Sequence, residues 1–144
     1  MSGLFDLFKK KAGKRGRPLV LHADDEPLGR ALVAAMLSDG GLSVLSVSDG
    51  AEAVKLAARE LPDLILLDVQ MPGMDGIEAC HRIRQNPKTS SIPILMLTAL
   101  DQMKDMEKAL AWGADGYLTK PIDPEKLDRA VKRSLSRPPG AGAS

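Results

Sequence analysis

The 144-residue sequence predicts an α/β fold, a doubly wound five-stranded parallel sheet with five helices. Short apolar runs alternate with amphipathic segments five times between residues 18 and 136, the pattern of βα units whose sheet is covered on both faces. Asp, Pro and Gly stand where helices should begin and end. Polar residues close the apolar runs, so reactive groups collect at one edge of the sheet.

The first strand is expected over 18–23 and the first helix over 26–39, with Leu28, Leu32, Ala35 and Met36 as its core face and Gly40-Gly41 as its stop. A strand at 42–47 leads into a helix at 49–60, where Asp49 and Glu52 have capping-box spacing. The third strand, 63–68, contains Leu64-Ile65-Leu66-Leu67 and ends on Asp68. A turn follows, Met71-Pro72-Gly73-Met74-Asp75-Gly76, with Asp75 as N-cap of a helix at 75–86. The fourth strand spans 92–97 and runs into Thr98; a helix at 101–113 stops at Gly113. The last strand is 115–118. Asp123-Pro124 supplies an N-cap and a first-turn proline to the helix at 124–136, which turns Leu127, Ala130 and Val131 to the core.

Length and composition fit one soluble domain. The net charge of +1 is unevenly spread. Residues 1–17 hold six Lys/Arg and one Asp, a charge of 6 − 1 = +5, so the remainder carries 1 − 5 = −4. A single cysteine, Cys80, excludes an internal disulfide and suits a reducing compartment. No apolar stretch approaches the ~20 residues of a membrane span, and the N-terminal order of apolar then basic residues is wrong for a secretory signal. A cytoplasmic protein is expected.

Four strand ends point to one chemistry. Asp24-Asp25, Asp68, Thr98 and Lys120 should converge in the crevice above the carboxyl edge of a parallel sheet. Carboxylates held roughly 5 Å apart repel by about 3 kcal/mol per pair at an effective dielectric near 20, so the cluster calls for a divalent cation and Lys120.

Five segments, Asp24-Asp25-Glu26-Pro27, Asp68-Val69-Gln70-Met71-Pro72, Asp75-Gly76, Thr98-Ala99 and Tyr117-Leu118-Thr119-Lys120-Pro121, resemble in order and spacing the receiver domain of two-component response regulators. The resemblance covers about residues 18–136. It implies a flavodoxin-like sheet of strand order 2-1-3-4-5 and a cis peptide bond before Pro121. Asp68 would accept a phosphoryl group from a histidine kinase or phosphotransfer protein. Mg²⁺ would be held by Asp25, Asp68 and the main-chain carbonyl of Gln70, with Asp24 acting through water. Oxygen ligands and retained waters suit that ion. Lys120 and the Thr98 hydroxyl would meet the phosphoryl oxygens, and Thr98 moving inward would leave room for the Tyr117 ring, changing the protein-binding surface of residues 101–136. Such a protein catalyses only its own phosphoryl transfer and dephosphorylation and is otherwise no enzyme. Leu100, two residues past Thr98, cannot orient water by hydrogen bonding, which implies a longer-lived acyl phosphate.

Rival readings are weaker. Phosphatases of the haloacid dehalogenase class place a second Asp where this chain has Gln70, and their nucleophile on the first strand rather than the third. A receiver-like adaptor that acts without phosphorylation would not need the full residue set found here. Specific DNA binding is not expected, because the body is acidic and no recognition-helix module follows residue 136.

Four features lie outside this pattern. His22 interrupts the first apolar run and is expected to be a neutral buried ring with one hydrogen-bond partner, on the same face as Asp24. Cys80 and Trp112 are expected to face the sheet, and Met103 and Met106 a core or partner face. In the leader, residues 1–17, Leu4, Phe5, Leu7 and Phe8 can share a helical face ahead of Lys9, Lys10, Lys11, Lys14, Arg15 and Arg17. Weak membrane contact through residues 4–17, docking on a protein, and a solvated charge run all remain open for it. The tail, 137–144, is expected to be disordered, with no effector domain after it.

Overall fold

The computed structural model describes residues 16–137. The leader up to residue 15 and the tail from residue 138 lie outside them, and so do the expectations placed there. The elements are β1 (Leu19–Ala23), α1 (Pro27–Asp39), β2 (Ser43–Val47), α2 (Gly50–Glu60), β3 (Leu64–Asp68), α3 (Gly76–Gln85), β4 (Ile94–Thr98), a 3-10 helix (Leu100–Asp105), α4 (Met106–Ala111), β5 (Gly116–Thr119) and α5 (Pro124–Leu135). All strand pairs are parallel and the order is β2-β1-β3-β4-β5, as expected.

Successive side chains of a strand point to opposite faces, so strands apolar at every position feed two cores. Leu21, Ile65, Leu67 and Met96 pack with Ala53 of α2 and Ile77 and Ile83 of α3. Val20, Leu64, Leu66 and Leu97 pack with Val33 and Leu37 of α1 and with Leu127 and Val131 of α5. Each leucine so buried stabilises the fold by about 1.5–3 kcal/mol relative to exposure.

The helix starts follow the sequence. Asp49, Asp75 and Asp123 accept hydrogen bonds from the amides of Glu52, Glu78 and Lys126. α2 stops at Glu60 as expected, capped by Leu61 in the left-handed region, φ 47°, where no glycine stands. Two boundaries differ most. β4 begins after Pro93, which has no amide to donate to a ladder. The expected helix at 101–113 is instead six residues of 3-10 helix followed by a short α4, and Ala99 at its start lacks the side-chain acceptor that would hold an α-helical first turn.

One face was misassigned at three of its four residues; Met36 does pack against the core. α1 buries Val33 and Leu37, while Leu28 is 70% and Leu32 52% exposed and Ala35 lies outside as well. Alanine, leucine, valine and methionine occupy most of α1, so its periodicity offers two apolar faces and only the sheet chooses between them.

The far end of the sheet is clamped by Arg84. Its guanidinium donates to the carbonyls of Gly113, Ser90 and Ile92 and pairs with Asp115 at 2.9 Å. Asp115 also accepts the amide of Ile94 at 2.8 Å and pairs with Arg137 at 3.0 Å. Truncation by Asp115→Ala removes the carboxylate from the Arg84 guanidinium and leaves the Ile94 amide without its acceptor in a mostly buried site. The expected loss is about 3 kcal/mol, read as a lower urea midpoint at unchanged m-value; a midpoint within error of the parent refutes the clamp.

Candidate functional site

Register brings the reactive residues together. Ala23 pairs with Leu67, Asp68 with Leu97 and Thr98 with Thr119, so Asp24, Asp68, Thr98 and Lys120 leave the same edge of the sheet. The carboxylate oxygens of Asp24, Asp25 and Asp68 lie within 4.8 Å of one another. Asp24 and Asp68 are buried, and Asp25 is exposed at the rim. Lys120 Nζ sits 2.6 Å from Asp68 Oδ1 and 3.7 Å from Asp24 Oδ2. Its own amide donates to the Thr98 carbonyl at 2.7 Å, which fixes where the side chain starts.

Burial dominates the electrostatics of the pair. It pushes the Asp68 carboxyl from 3.8 up to about 6, against the hydrogen bond and charge of Lys120, and the neighbouring charge of Asp24 adds to the rise. For Lys120, burial pulls downward, but the bond to Asp68 and the charges of Asp68, Asp24 and Glu26 outweigh it and hold the ammonium above its usual 10.5. Asp68 is therefore mostly a carboxylate at neutral pH, poised close to protonation.

Gly29 and Arg30, which the sequence reading passed over, shape this site together with Gly76 of the Asp75-Gly76 pair. Gly29, inside α1, faces the Asp24 carboxylate so closely that a Cβ there would overlap it, and Gly76 does the same for the main-chain oxygen of Asp68. A glycine in the first turns of a helix, where it costs about 1 kcal/mol against alanine, was the available signal at Gly29. Arg30 donates to the Asp24 carbonyl at 2.7 Å, and the Glu26 amide donates to Asp24 Oδ1 at 3.0 Å.

The acids open onto a cleft of about 840 Å³ lined by Asp25, Asp68, Gln70, Lys120 and, further along, Lys108 and Trp112. Three carboxylates with oxygen donors in reach of one point form a donor set that fits a hard divalent cation. Thr98 is buried and its hydroxyl donates to the Ala99 carbonyl at 3.2 Å. Tyr117, on edge strand β5, is 42% exposed, so its ring stands outward. The Lys120–Pro121 bond is cis. Cys80 faces the core as expected, with Met106 buried and Met103 against it. Trp112 does not face the sheet; it stacks near His81 at 4.4 Å and under the Lys108 ammonium at 4.5 Å, at the surface.

Comparison with known proteins fits this geometry. The family model of the response regulator receiver domain matches residues 20–132. The chain belongs to that family. This receiver is similar to the DNA-binding dual master transcriptional regulator RpaA of Synechocystis sp., 42% identical over 83% of this chain and 50% of that protein. It thus spans about half the length of that relative. Protein PilH of Pseudomonas aeruginosa is 37% identical over 81% of this chain and 97% of its own length. Among solved structures, the receiver domain of the sensor histidine kinase PA1611 from P. aeruginosa, which has a magnesium ion coordinated in its active-site cleft, shares 34% identity at a TM-score of 0.78 and covers 83% of this chain and 98% of its own.

His22 departs from expectation. It is fully buried, yet neither ring nitrogen has a hydrogen-bond partner among the described residues. Its neighbours across the sheet, Leu66 and Ser46, are paired through backbone, and its own face is leucine and valine. Burial holds the imidazole down at about 4 from 6.5, opposed by the charge of Asp24 and reinforced by Lys120 and Arg30. The unfolded chain takes the proton near 6.5 and the folded chain only near 4, so stability tied to the neutral ring is intact above 6.5 and lost as pH falls through 4. His22→Leu removes this penalty. In urea unfolding with chelator present, the variant should gain on the parent by about 3 kcal/mol between pH 7 and pH 4; a pH-independent difference refutes the neutral buried ring.

Proposed function

We propose that this receiver accepts a phosphoryl group on Asp68 from a histidine kinase or phosphotransfer protein, in a Mg²⁺-dependent reaction, and that the modification changes which protein it binds. The observation that carries the reading is the Asp68–Lys120 contact of 2.6 Å at the floor of a cleft, with Asp24 buried beside it and Asp25 at the rim. An Asp68 carboxylate oxygen attacks phosphorus, the bond from phosphorus to the donor nitrogen breaks, and the donor imidazole leaves with that electron pair and takes up a proton. Phosphoryl transfer asks the protein mainly to align the nucleophile and neutralise the equatorial oxygens. Lys120 is in place to follow the charge from the carboxylate to the phosphoryl oxygens. The Thr98 hydroxyl, now spent on the Ala99 carbonyl, is free to exchange that bond for a phosphoryl oxygen. Asp24, Asp25, Asp68 and the main chain at Gln70 would hold Mg²⁺, which supplies positive charge to those same oxygens.

The output surface in this reading is the 101–136 face. Leu110, Trp112 and Tyr117 are exposed there, giving a partner apolar ground to bind. The chain would be an enzyme only toward itself and would act in the cytoplasm; no helix of the described residues is long and apolar enough to cross a membrane.

Mass spectrometry after incubation with acetyl phosphate and Mg²⁺ tests the reading. A phosphoryl adduct on the parent that Asp68→Asn alone abolishes is expected. An unmodified parent returns the chain to the class of adaptors that work without phosphorylation, and an adduct that survives Asp68→Asn removes Asp68 as the acceptor.

Metal affinity should also follow the Asp68 carboxyl. Protons and cation compete for it, so with a pKa of about 6 the Mg²⁺ affinity should fall about tenfold between pH 7 and pH 5. Calorimetric titration at the two pH values reads this directly, and equal affinities would remove Asp68 from the ligand set.

A further inference from the structure

α1 carries an apolar stripe that nothing in the described fold uses. Leu28, Ala31, Leu32 and Ala35, at spacing i, i+3, i+4, i+7, all lie on its outward face, opposite the buried Val33 and Leu37. Leu28 at 70% and Leu32 at 52% exposure are large apolar side chains left in water side by side. We propose that this stripe is a docking face for the chain's own residues 4–8, the segment containing Leu4, Phe5, Leu7 and Phe8.

Chain entry, reach and charge argue for that occupant. The Pro18 carbonyl accepts the Ser43 amide at 2.9 Å, and the Leu42 amide donates to the Leu37 carbonyl at 3.2 Å. The residue that leads into β1 therefore sits beside the last turn of α1, with the leader attached next to the helix it is to cover. α1 has 13 residues and is about 20 Å long, whereas residues 9–17 can span up to ~30 Å when extended. Residues 4–8 can thus reach any point on the stripe.

Charge favours the same arrangement. Residues 1–17 carry 6 − 1 = +5 and the remainder 1 − 5 = −4. Exposed acids stand at both ends of α1, Asp39 below and Asp25 and Glu26 above. The helix holds one basic residue, Arg30, already bonded to the Asp24 carbonyl. Tethering keeps the segment at an effective concentration in the millimolar range, so a few apolar contacts suffice to populate the docked form. The docked leader would lie over the wall of α1 next to the acids, shielding that ground from other proteins without touching the carboxylates.

The test uses the full chain with a nitroxide on Ser2→Cys; the native Cys80 is buried. Amide signals of residues 28–35 in an isotope-labelled sample should lose intensity and recover in Phe5→Ser/Phe8→Ser and, independently, in Leu28→Ser/Leu32→Ser. Intensity loss should persist on dilution. Broadening only in a mixture of spin-labelled and isotope-labelled molecules means a second copy occupies the stripe and overturns the proposal. So does an unbroadened α1 in a leader that instead binds vesicles of anionic lipid. Neither readout involves phosphorylation, so the stripe and the phosphoacceptor are judged separately.

Discussion

The ion pair of Asp68 and Lys120 is the constraint around which the site is arranged. Three carboxylates cannot share a neighbourhood of 4.8 Å unless positive charge sits among them. Among the described residues Lys120 supplies that charge, at 2.6 Å from Asp68 and 3.7 Å from Asp24. Its location depends on β5: pairing of Thr98 with Thr119 and the bond from the Lys120 amide to the Thr98 carbonyl carry the ammonium over the ends of β1 and β3. One lysine does not balance three acids, and Asp68 keeps a raised carboxyl pKa even in its presence. The residual negative charge makes the cleft receptive to a further cation.

The same sheet that aligns these groups also desolvates them. Two apolar cores flank β1, β3 and β4, which are buried at nearly every position, and the polar residues at their tips inherit that dry surrounding. Asp68 tolerates it through Lys120. His22, two residues before Asp24, has no such partner among the described residues and remains neutral instead. The contrast shows how narrow the permissive zone is: one pleat deeper into the sheet, a titratable side chain loses its charge.

Much of this was legible in the sequence because it rests on local signals. Apolar runs closed by Asp24, Asp68 and Thr98 gave the strands and the edge on which the site lies, and Asp49, Asp75 and Asp123 marked helix starts that the structure confirms. What escaped depends on tertiary choice. α1 is apolar nearly all round, so nothing local says that Val33 and Leu37 face inward and Leu28 and Leu32 outward. Gly29 reads as a mild helix defect until the Asp24 carboxylate is seen lying against it. The partner expected for His22 is missing among the described residues because its face of the sheet is filled by leucine and valine. Arg84 looks like a surface charge on α3 until Asp115 and three carbonyls are found around it.

The 3-10 segment Leu100–Asp105 joins the site to the surface beyond it. Asp101, Gln102 and Asp105 help to line the cleft that holds Asp68, yet none of residues 100–105 is buried. Long 3-10 runs have poorer hydrogen-bond geometry than α-helix, and a segment with no buried residue and only Met103 against the core gives up little packing when it rearranges. β5 next to it is an edge strand with Tyr117 facing outward. On the proposed reading, a change in charge at Asp68 would be opposed less along the 3-10 turn and β5 than along β1 and β3, whose side chains lock both cores. A two-state response in this fold is therefore cheapest on the side away from α1.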